Sequence, residues 1–372
     1  MIKDLKYLMS YSIALMAFIG LSLGGFYNYL AVIFTFVFIP VLEIIVKKSD
    51  EKYTNEEKKN RNLDPFFDLL LYLNIPIVFG IFFFSLEKLA LTSSVYDIIG
   101  IILSASIVMA TNGINVGHEL GHRKSIIART CSKLLYLPCH YMHFYIEHNF
   151  GHHINVATPE DPATARYKQT VYSFWITSVI RTYVSAWEIQ LKLLKVSKRS
   201  FFSIKNDMVF YKLFQLTFLV FIYYNFGLYL TILSVVMSVV SFLFLETINY
   251  LEHYGLERRQ DSNGKHETVK PQHSWDSPAR LTNMVTIKLQ RHADHHAHAG
   301  KRFQTLQAYE ASPQLPSGYA TMIVLAFFPP IWRYVMHPRL MRFRKTQTGQ
   351  VWRHGPQPEY DENNGEGDKK KK

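Results

Sequence analysis

Histidine is the residue type in this sequence whose number and spacing could support chemistry. The chain contains 16 histidines, and all of them lie at or after residue 118. Residues three or four positions apart share a face of a helix, so His118 with His122, and His148 with His152, could reach the same metal ion. Four short segments contain the candidate ligands: His118, His122, His148, His152, His153, His253, His292, His295 and His296.

The number of clustered imidazoles indicates the kind of metal site. A catalytic zinc ion takes three protein ligands and a water molecule, so nine histidines fit two ions with four or five ligands each. Neutral imidazole binds iron, copper, zinc and nickel, and the residues alone leave that choice open. Metal-bound histidines need partners for the second ring nitrogen, and we predict four neighbouring acids for this role: Glu119, Glu147, Glu252 and Asp294.

Two other interpretations compete with a two-metal site. The segment from His118 to His122 matches H-E-x-x-H, the zinc metalloprotease motif, so a membrane protease that uses His118, Glu119 and His122 is one rival. A metal-binding or transport protein without enzymatic activity is another. The remaining histidines lack the spacing of the four segments and are predicted not to bind the ions: His140, His143, His266, His273, His298, His337 and His354.

The elements that must position these histidines are predicted to be membrane-spanning helices. A span requires about 20 mostly apolar residues, and four runs of suitable length carry no charged residue: 7–42, 69–86, 98–117 and 213–245. Turn residues near Gly24 and Gly227 divide the first and last runs. The prediction is an all-α protein with six spans in three hairpins, roughly 8–24, 28–46, 67–87, 95–116, 208–224 and 228–248.

Two shorter apolar runs are predicted to be re-entrant or interfacial. Residues 134–146 are too few for a span and include Pro138, and residues 319–332 include two prolines. We expect one membrane domain over residues 1–350 and a disordered polar tail over residues 351–372.

The charge pattern predicts orientation and excludes several classes of protein. Lys88 is the only lysine or arginine in the short loops on one side, so the opposite side, with both termini and the histidines, is expected to face the cytoplasm of a bacterial inner membrane. Anionic lipid explains the net charge of +12 without a nucleic-acid partner. Aromatic residues make up 15% of the chain, which excludes intrinsic disorder, and two cysteines exclude a disulfide scaffold.

The histidine segments together resemble the alkane 1-monooxygenases, membrane enzymes related to acyl desaturases and sterol hydroxylases. Eight of the nine histidines match the three-box pattern of that larger group, and the NYLEHYG segment at residues 249–255 is the most discriminating. The resemblance covers roughly residues 60–345. It rests on HELGH, EHNFGHH, NYLEHYG and LQRHADHH and on the flanking residues 158–166, 270–275 and 313–320.

The resemblance implies a di-iron centre held by the nine histidines, O2 as cosubstrate, and hydroxylation of medium- to long-chain n-alkanes to 1-alcohols. Electrons would come from a separate rubredoxin with its NAD(P)H-dependent reductase, since the chain lacks a Cys-x-x-Cys pair. Another methyl group, on xylene or at a fatty-acid terminus, is the alternative substrate. Rubredoxins are acidic, and the predicted basic docking surface consists of Arg123, Lys124, Arg129, Arg339, Arg342, Arg344 and Lys345.

An alkane has no polar group for hydrogen bonding, so its recognition must depend on shape and on burial of apolar area. Each buried CH2 contributes about 0.8 kcal/mol. The sequence therefore predicts an apolar slot between helices that is open to lipid and ends at the metal ions.

Overall fold

The computed structural model describes residues 2–46, 48, 51–347 and 350–358. Over these residues the protein is all-α, as predicted, with two isolated β-bridges as the only extended pairings. Short 3₁₀ and π turns continue several helices. The helices are α1 (Lys3–Leu23), α2 (Gly25–Ile45), α3 (Asn55–Leu63), α4 (Pro65–Ala90), α5 (Val95–Gly121), α6 (Ile126–Tyr136), α7 (144–155), α8 (Val171–Val196), α9 (Asp207–His253), α10 (Arg280–Val285), α11 (His292–Ala297), α12 (Tyr319–Ala326) and α13 (Pro329–Thr346).

Five helices are long and apolar enough to cross a membrane, namely α1, α2, α4, α5 and α9. They coincide with the charge-free runs of the sequence, and their ends lie within a few residues of the predicted boundaries. The protein is therefore a helical membrane protein. Gly24 separates α1 from α2 with a φ of 73° and a ψ of −175°, a conformation that is essentially restricted to glycine.

Helix α9 contains 47 residues, which would extend about 70 Å if straight, more than twice the hydrocarbon core of a bilayer. Gly227 interrupts it with a φ of 77° and a ψ of 174°. Phe218 in the first arm packs on Phe82 of α4 at 5.5 Å between ring centroids, whereas Ser106 of α5 donates to the Met237 carbonyl in the second arm. At the start of α9, Asp207 pairs with Lys133 of α6, which directly follows α5, and near its end Glu252 lines the same cavity as His118 of α5. Both ends of α9 therefore lie near the end of α5, and α9 reverses at Gly227.

The segment 134–146 enters the bundle and returns, as expected for a re-entrant segment. It contains the end of α6 and the turn before α7. At the turn, Ser238 donates to the Pro138 carbonyl at 2.7 Å, and the Cys139 thiol lies 3.7 Å from the Met109 carbonyl. Because Ser238 and Met109 lie well inside α9 and α5, the turn reaches the interior of the bundle.

The segment 319–332 is divided between α12 and the first turn of α13, as its prolines suggest. Trp332 packs between Tyr250 and Tyr254 near the end of α9, with ring centroids 5.1 and 5.2 Å away. The two helices thus hold the end of α9 that carries a predicted ligand.

Helix α8 does not correspond to any predicted span, because charged residues interrupt its sequence. At its start, the Trp175 indole donates to Thr247 at 3.0 Å, and near its end Gln190 donates to the Lys205 carbonyl at 3.0 Å. It therefore passes from the end of α9 to the residues just before α9 begins. Its buried face repeats every four residues: Phe174, Ser178, Thr182, Ala186, Gln190 and Leu194.

The packed part of the chain continues beyond residue 350, where the sequence predicted the tail to begin. Trp352 is buried, and its ring stacks on the Arg344 guanidinium at 4.2 Å. The rest of the predicted tail, residues 359–372, lies outside the described residues.

Candidate metal centre

The structure brings all nine predicted histidines together in two adjoining groups. Within each group the ring nitrogens lie within 4.8 Å of one another. Each group draws on three separated segments of the chain, so neither exists without the tertiary fold. The five-histidine group consists of His118, His122, His148, His153 and His295, and the four-histidine group of His152, His253, His292 and His296.

A π turn in α7 divides the second histidine segment between the groups. The turn covers His148–His152, and residues five apart face the same way in a π turn. His148 and His153 accordingly lie in one group with their Nε2 atoms 3.0 Å apart, and His152 lies in the other. The predicted pairing of His148 with His152 on one face is wrong, because it assumed a regular α-helix.

The spacing of the nitrogens is compatible with metal coordination. Two nitrogens bound to one ion at about 2.1 Å lie about 3.0 Å apart at right angles and about 3.4 Å apart at the tetrahedral angle. Within the groups, the close Nε2 pairs are 3.0 to 3.1 Å apart, a spacing that two ligands of one metal ion can have. These pairs are His118–His295, His122–His148, His148–His153, His153–His295, His152–His296 and His253–His292. The five-histidine group also offers more nitrogens than the four ligands that zinc usually takes.

Hydrogen bonds between the rings do not account for these contacts. The Nε2 atom of His295 lies 3.0 Å from that of His118 and 3.1 Å from that of His153. A ring nitrogen carries either one proton or one lone pair, so His295 can satisfy only one of these neighbours. A metal ion shared by the nitrogens removes the conflict, and the donor set therefore fits metal binding.

The rings of the five-histidine group are held in the neutral form that binds metals. Burial, together with repulsion from His152, lowers the pKa of His122 to about 3. Burial and the neighbouring histidines likewise lower the pKa of His292 and His295 well below the usual value. The site is therefore prepared for metal ions without releasing protons from these rings at neutral pH.

Asp161 is a site residue that the sequence reasoning missed. Its carboxylate lies 3.0 Å from Nδ1 of His152 and also accepts from Thr164 and the Ala163 amide. Burial opposes ionisation, but the interactions with His152 and Thr164 outweigh it and lower the pKa of Asp161. Asp161 therefore orients His152 through Nδ1, the ring nitrogen that faces away from the group. The feature of the sequence that could have identified Asp161 was its position in segment 158–166, which flanks the second histidine segment.

Two of the four acids predicted to orient ligands bond elsewhere. Glu119 accepts from Arg123 at 2.9 Å and from the Phe303 amide at 3.3 Å. Asp294 lies 3.1 Å from Nδ1 of His298 and forms an ion pair with a lysine. Adjacency in the sequence misled the prediction, because these carboxylates point away from the neighbouring ring.

The other two acids also lie away from a ligand Nδ1. The Glu147 carboxylate packs against Gly151, where an added Cβ would come within 2.7 Å of Oε1. Glu252 accepts from the Tyr319 hydroxyl at 2.7 Å, and its Oε2 lies 3.2 Å from Nε2 of His292. Because Nε2 is the nitrogen that faces the four-histidine group, Glu252 could add an oxygen ligand there instead of orienting a ring.

None of the seven histidines predicted not to bind metal belongs to either group within the described residues. His273 contributes its backbone carbonyl, which lies 3.2 Å from Nδ1 of His253, and so helps to orient that ring. His298 forms its contact with Asp294 at the protein surface. The others also lie outside both groups: His140, His143, His266, His337 and His354.

An apolar cavity of about 60 Å³ adjoins the two groups. It lies between α2, α5, α9 and α12. Three candidate ligands are among the residues that line it, His118 and His148 from one group and His292 from the other. Its walls are mainly aromatic and aliphatic, including Ile107, Phe144, Phe244, Leu245, Ile248 and Ile323.

Comparison with known proteins assigns the family. The fatty acid desaturase family model matches residues 95–326, a range that contains all nine histidines. An alkane 1-monooxygenase 2 from Pseudomonas aeruginosa is 36% identical over 92% of this chain and 94% of its own length. An alkane 1-monooxygenase 2 from Alcanivorax borkumensis is 34% identical over 91% of this chain and 90% of its own length.

This chain belongs to the alkane 1-monooxygenase family. The resemblance carried by the four histidine segments is thereby confirmed. A more distant relative, the xylene/toluene monooxygenase hydroxylase component of Pseudomonas putida, is 27% identical over 84% of this chain. Because the fatty acid desaturase family model also matches this chain, the family lies within the broader desaturase-like group that the histidine pattern indicated.

The structure removes two residues from the basic surface that the family resemblance suggested. Arg344 is fully buried and donates to the Gly255 carbonyl at 3.0 Å. Arg123 is engaged with Asp68 and Glu119. Arg344 therefore belongs to the interior of this alkane 1-monooxygenase family member, and Arg123 is half-buried in ion pairs that the sequence did not reveal.

Proposed function

We propose that this protein is an alkane 1-monooxygenase that uses O2 to hydroxylate the terminal methyl group of medium- to long-chain n-alkanes. The observation that carries the proposal is the apolar cavity whose lining includes His118, His148 and His292. Such a cavity brings a hydrocarbon to metal-binding groups and offers little to a polar substrate. The two relatives named alkane 1-monooxygenase 2 support the same reaction.

The metal ions that fit the two groups best are two irons. Iron would supply the activation of O2 and of an unactivated C–H bond, which side chains cannot provide. The five-histidine group would hold one ion, and the four-histidine group, with Glu252, the other. Five histidines in one group exceed the four ligands that zinc usually takes, and mixed nitrogen and oxygen ligands are common for non-haem iron.

The cavity walls would hold the substrate by shape and exclude water from the reacting end. Each CH2 that they bury adds about 0.8 kcal/mol to binding, so affinity should increase with chain length until the cavity is full. The relatives named alkane 1-monooxygenase 2 are 36% and 34% identical to this chain, and the xylene/toluene relative is 27% identical, which favours n-alkanes over xylene as substrates.

The protease alternative is less consistent with the structure. A metalloprotease of this motif uses the glutamate as a general base beside the metal. Glu119 instead bonds to Arg123 and the Phe303 amide. It is therefore already committed to structural bonds, and the apolar cavity offers little to a peptide.

We further propose that the protein crosses a bacterial inner membrane six times, with both termini and the metal centre on the cytoplasmic side. The two arms of α9 supply the fifth and sixth spans. The concentration of lysine and arginine on the side of the histidines supports this orientation.

Electrons would enter from a rubredoxin, reduced by an NAD(P)H-dependent reductase, through the five-histidine group. His122 and His153 are partly exposed, whereas all four histidines of the other group are buried. Lys124, which follows His122 closely in the chain, is exposed. We place the acidic donor over this surface, and not over Arg339, Arg342 and Lys345 on α13, which packs against the opposite end of the site.

The test is a substrate-range assay with the purified protein, rubredoxin, its reductase, NADH and O2. We expect octane, dodecane or hexadecane to give 1-alcohols, and we expect p-xylene to be a poor substrate. Metal analysis should give two irons per chain. Production of no alcohol by iron-loaded protein, or faster turnover of p-xylene than of every alkane, would contradict the proposal.

Variants connect the activity to the two groups. His118→Ala and His292→Ala should each abolish turnover and lower the iron content. His298→Ala is the matched control, because His298 lies at the surface near α11 and outside both groups. Full turnover and iron content in His118→Ala would show that this residue is not a ligand.

A further inference from the structure

Helix α8 lies along the membrane surface and does not cross the bilayer. Its 26 residues extend about 39 Å. It starts at the end of α9 and finishes beside the residues that precede α9. Because both ends of α9 lie on the same side of the bundle, a helix that connects them must run parallel to that side.

The outward surface of α8 is amphipathic. Ile176 and Ile180 are 67% and 59% exposed, and Val184 and Leu191 continue the same apolar row. Charged residues occupy the adjacent row: Arg181, Glu188 and Lys192. A helix with one apolar and one charged exposed row is typical of an element that rests in the lipid interface.

The loop after α8 continues this apolar surface. Phe202 and Ile204 are 89% and 78% exposed, and Lys198, Arg199 and Lys205 flank them in the chain. Ile126 and Ile127 at the start of α6 are also exposed. These large apolar side chains lie on the side of the bundle that carries the charged residues. They would contact water there unless lipid covered them.

A groove of about 530 Å³ lies between this loop, α6 and α7. Four cations line it, Arg129, Lys133, Arg199 and Lys205. The acidic residue in its lining, Asp207, is paired with Lys133 at 2.7 Å. The groove therefore carries a net positive charge, and its apolar part is formed by Ile126, Ile146, Phe150, Leu193 and Leu194.

We propose that this groove binds an anionic phospholipid of the surrounding bilayer, with the phosphate at Arg129, Arg199 and Lys205 and the start of an acyl chain along the apolar wall. The combination of cations with aliphatic side chains matches both halves of a lipid. An acidic protein would match the cations alone and would leave Phe202 and Ile204 without cover. The inference depends on the membrane location and is independent of the reaction.

The experiment compares binding of phosphatidylglycerol and phosphatidylcholine to the purified, iron-loaded protein by native mass spectrometry. The double variant Arg199→Gln/Lys205→Gln removes two charges from the groove. We expect its affinity for phosphatidylglycerol to fall about tenfold or more and its affinity for phosphatidylcholine to stay unchanged.

The matched control is Lys192→Gln/Lys195→Gln, which removes two charges from α8 outside the groove and should retain most of the phosphatidylglycerol affinity. Iron content measures whether each variant is folded. Unchanged phosphatidylglycerol binding in the groove variant, or an equal loss in the control, would overturn the proposal. A higher KM for rubredoxin with unchanged lipid binding would also overturn it, because the groove would then be a protein-docking site.

Discussion

The rings of the candidate ligands are buried or half-buried and are aimed into two adjoining groups. Burial of a polar ring costs free energy unless each nitrogen finds a partner, and the closest partners of most Nε2 atoms are other Nε2 atoms. A shared ion satisfies them together. The rings that have a partner on Nδ1, such as His152 with Asp161, are also fixed in orientation before the ion binds.

Replacement of Asp161 should weaken the site without altering any ligand. Asp161→Asn removes the negative charge beside Nδ1 of His152, and loss of such partners lowers metal affinity by about 10- to 100-fold. The measurement is iron affinity by competition with a chelator. Glu160→Gln is the control, since the Glu160 side chain is largely exposed; equal iron affinity in Asp161→Asn and the wild type would contradict the assigned role.

Reversal of the charge at Lys124 should impair the encounter with the electron donor. Lys124→Glu places a negative charge close to His122, where an acidic donor would approach, so the KM for rubredoxin should rise several-fold and depend less on salt. Arg342→Glu on α13 is the comparison. A larger effect of Arg342→Glu than of Lys124→Glu would place the docking surface on α13 and not beside the five-histidine group.

Among the helices, α7 shows most clearly how local geometry assigns ligands. Its π turn sends His148 and His153 to one group and His152 to the other. Gly151 makes the turn compatible with the packing of α8, because a Cβ at this position would lie 2.9 Å from the Ile189 side chain and 2.7 Å from Glu147. The glycine thus keeps α7 close enough to α8 for the π turn to form.

Gly151→Ala should therefore disturb the metal centre. The added methyl group overpacks the interface, which typically costs about 1–3 kcal/mol, and it displaces the turn that carries His152. We expect a lower Tm in detergent and a lower iron content. Gly80→Ala is the control, because a Cβ there meets no atom within 4 Å; similar losses in both variants would mean that the space at Gly151 is not the cause.

Over the whole molecule, segments distant in sequence secure the ends of the helices that carry ligands. Two residues after His253, the Gly255 carbonyl accepts from Arg344 of α13, and the same guanidinium donates to the His354 carbonyl and stacks on Trp352. The C-terminal residues up to 358 are thereby attached to the end of α9.

Removal of the Arg344 charge should destabilise the fold. Arg344→Gln leaves the Gly255 carbonyl without its buried donor, and leaving a buried acceptor unpaired costs about 1–3 kcal/mol. Thermal unfolding in detergent should show a lower Tm, whereas Arg342→Gln at the exposed surface should leave it unchanged. An unchanged Tm for Arg344→Gln would show that the C-terminal segment does not support α9.

The sequence by itself determined the features that depend on residue type and local spacing. Charge-free runs determined the spanning helices, because a bilayer core excludes charges, and the histidine segments determined the nine candidate ligands and the family. Gly227 could be recognised as the turn in α9 because it interrupts an apolar run that is too long for one span.

Only the tertiary structure decided the features that depend on contacts between distant segments. It assigned His152 and His153 to different groups, selected Asp161 over the four neighbouring acids, and buried Arg344. It also showed that α8 connects the two ends of α9. Residue spacing alone predicts neither a π turn nor the partners that pack around a side chain, because both depend on contacts made in the folded chain.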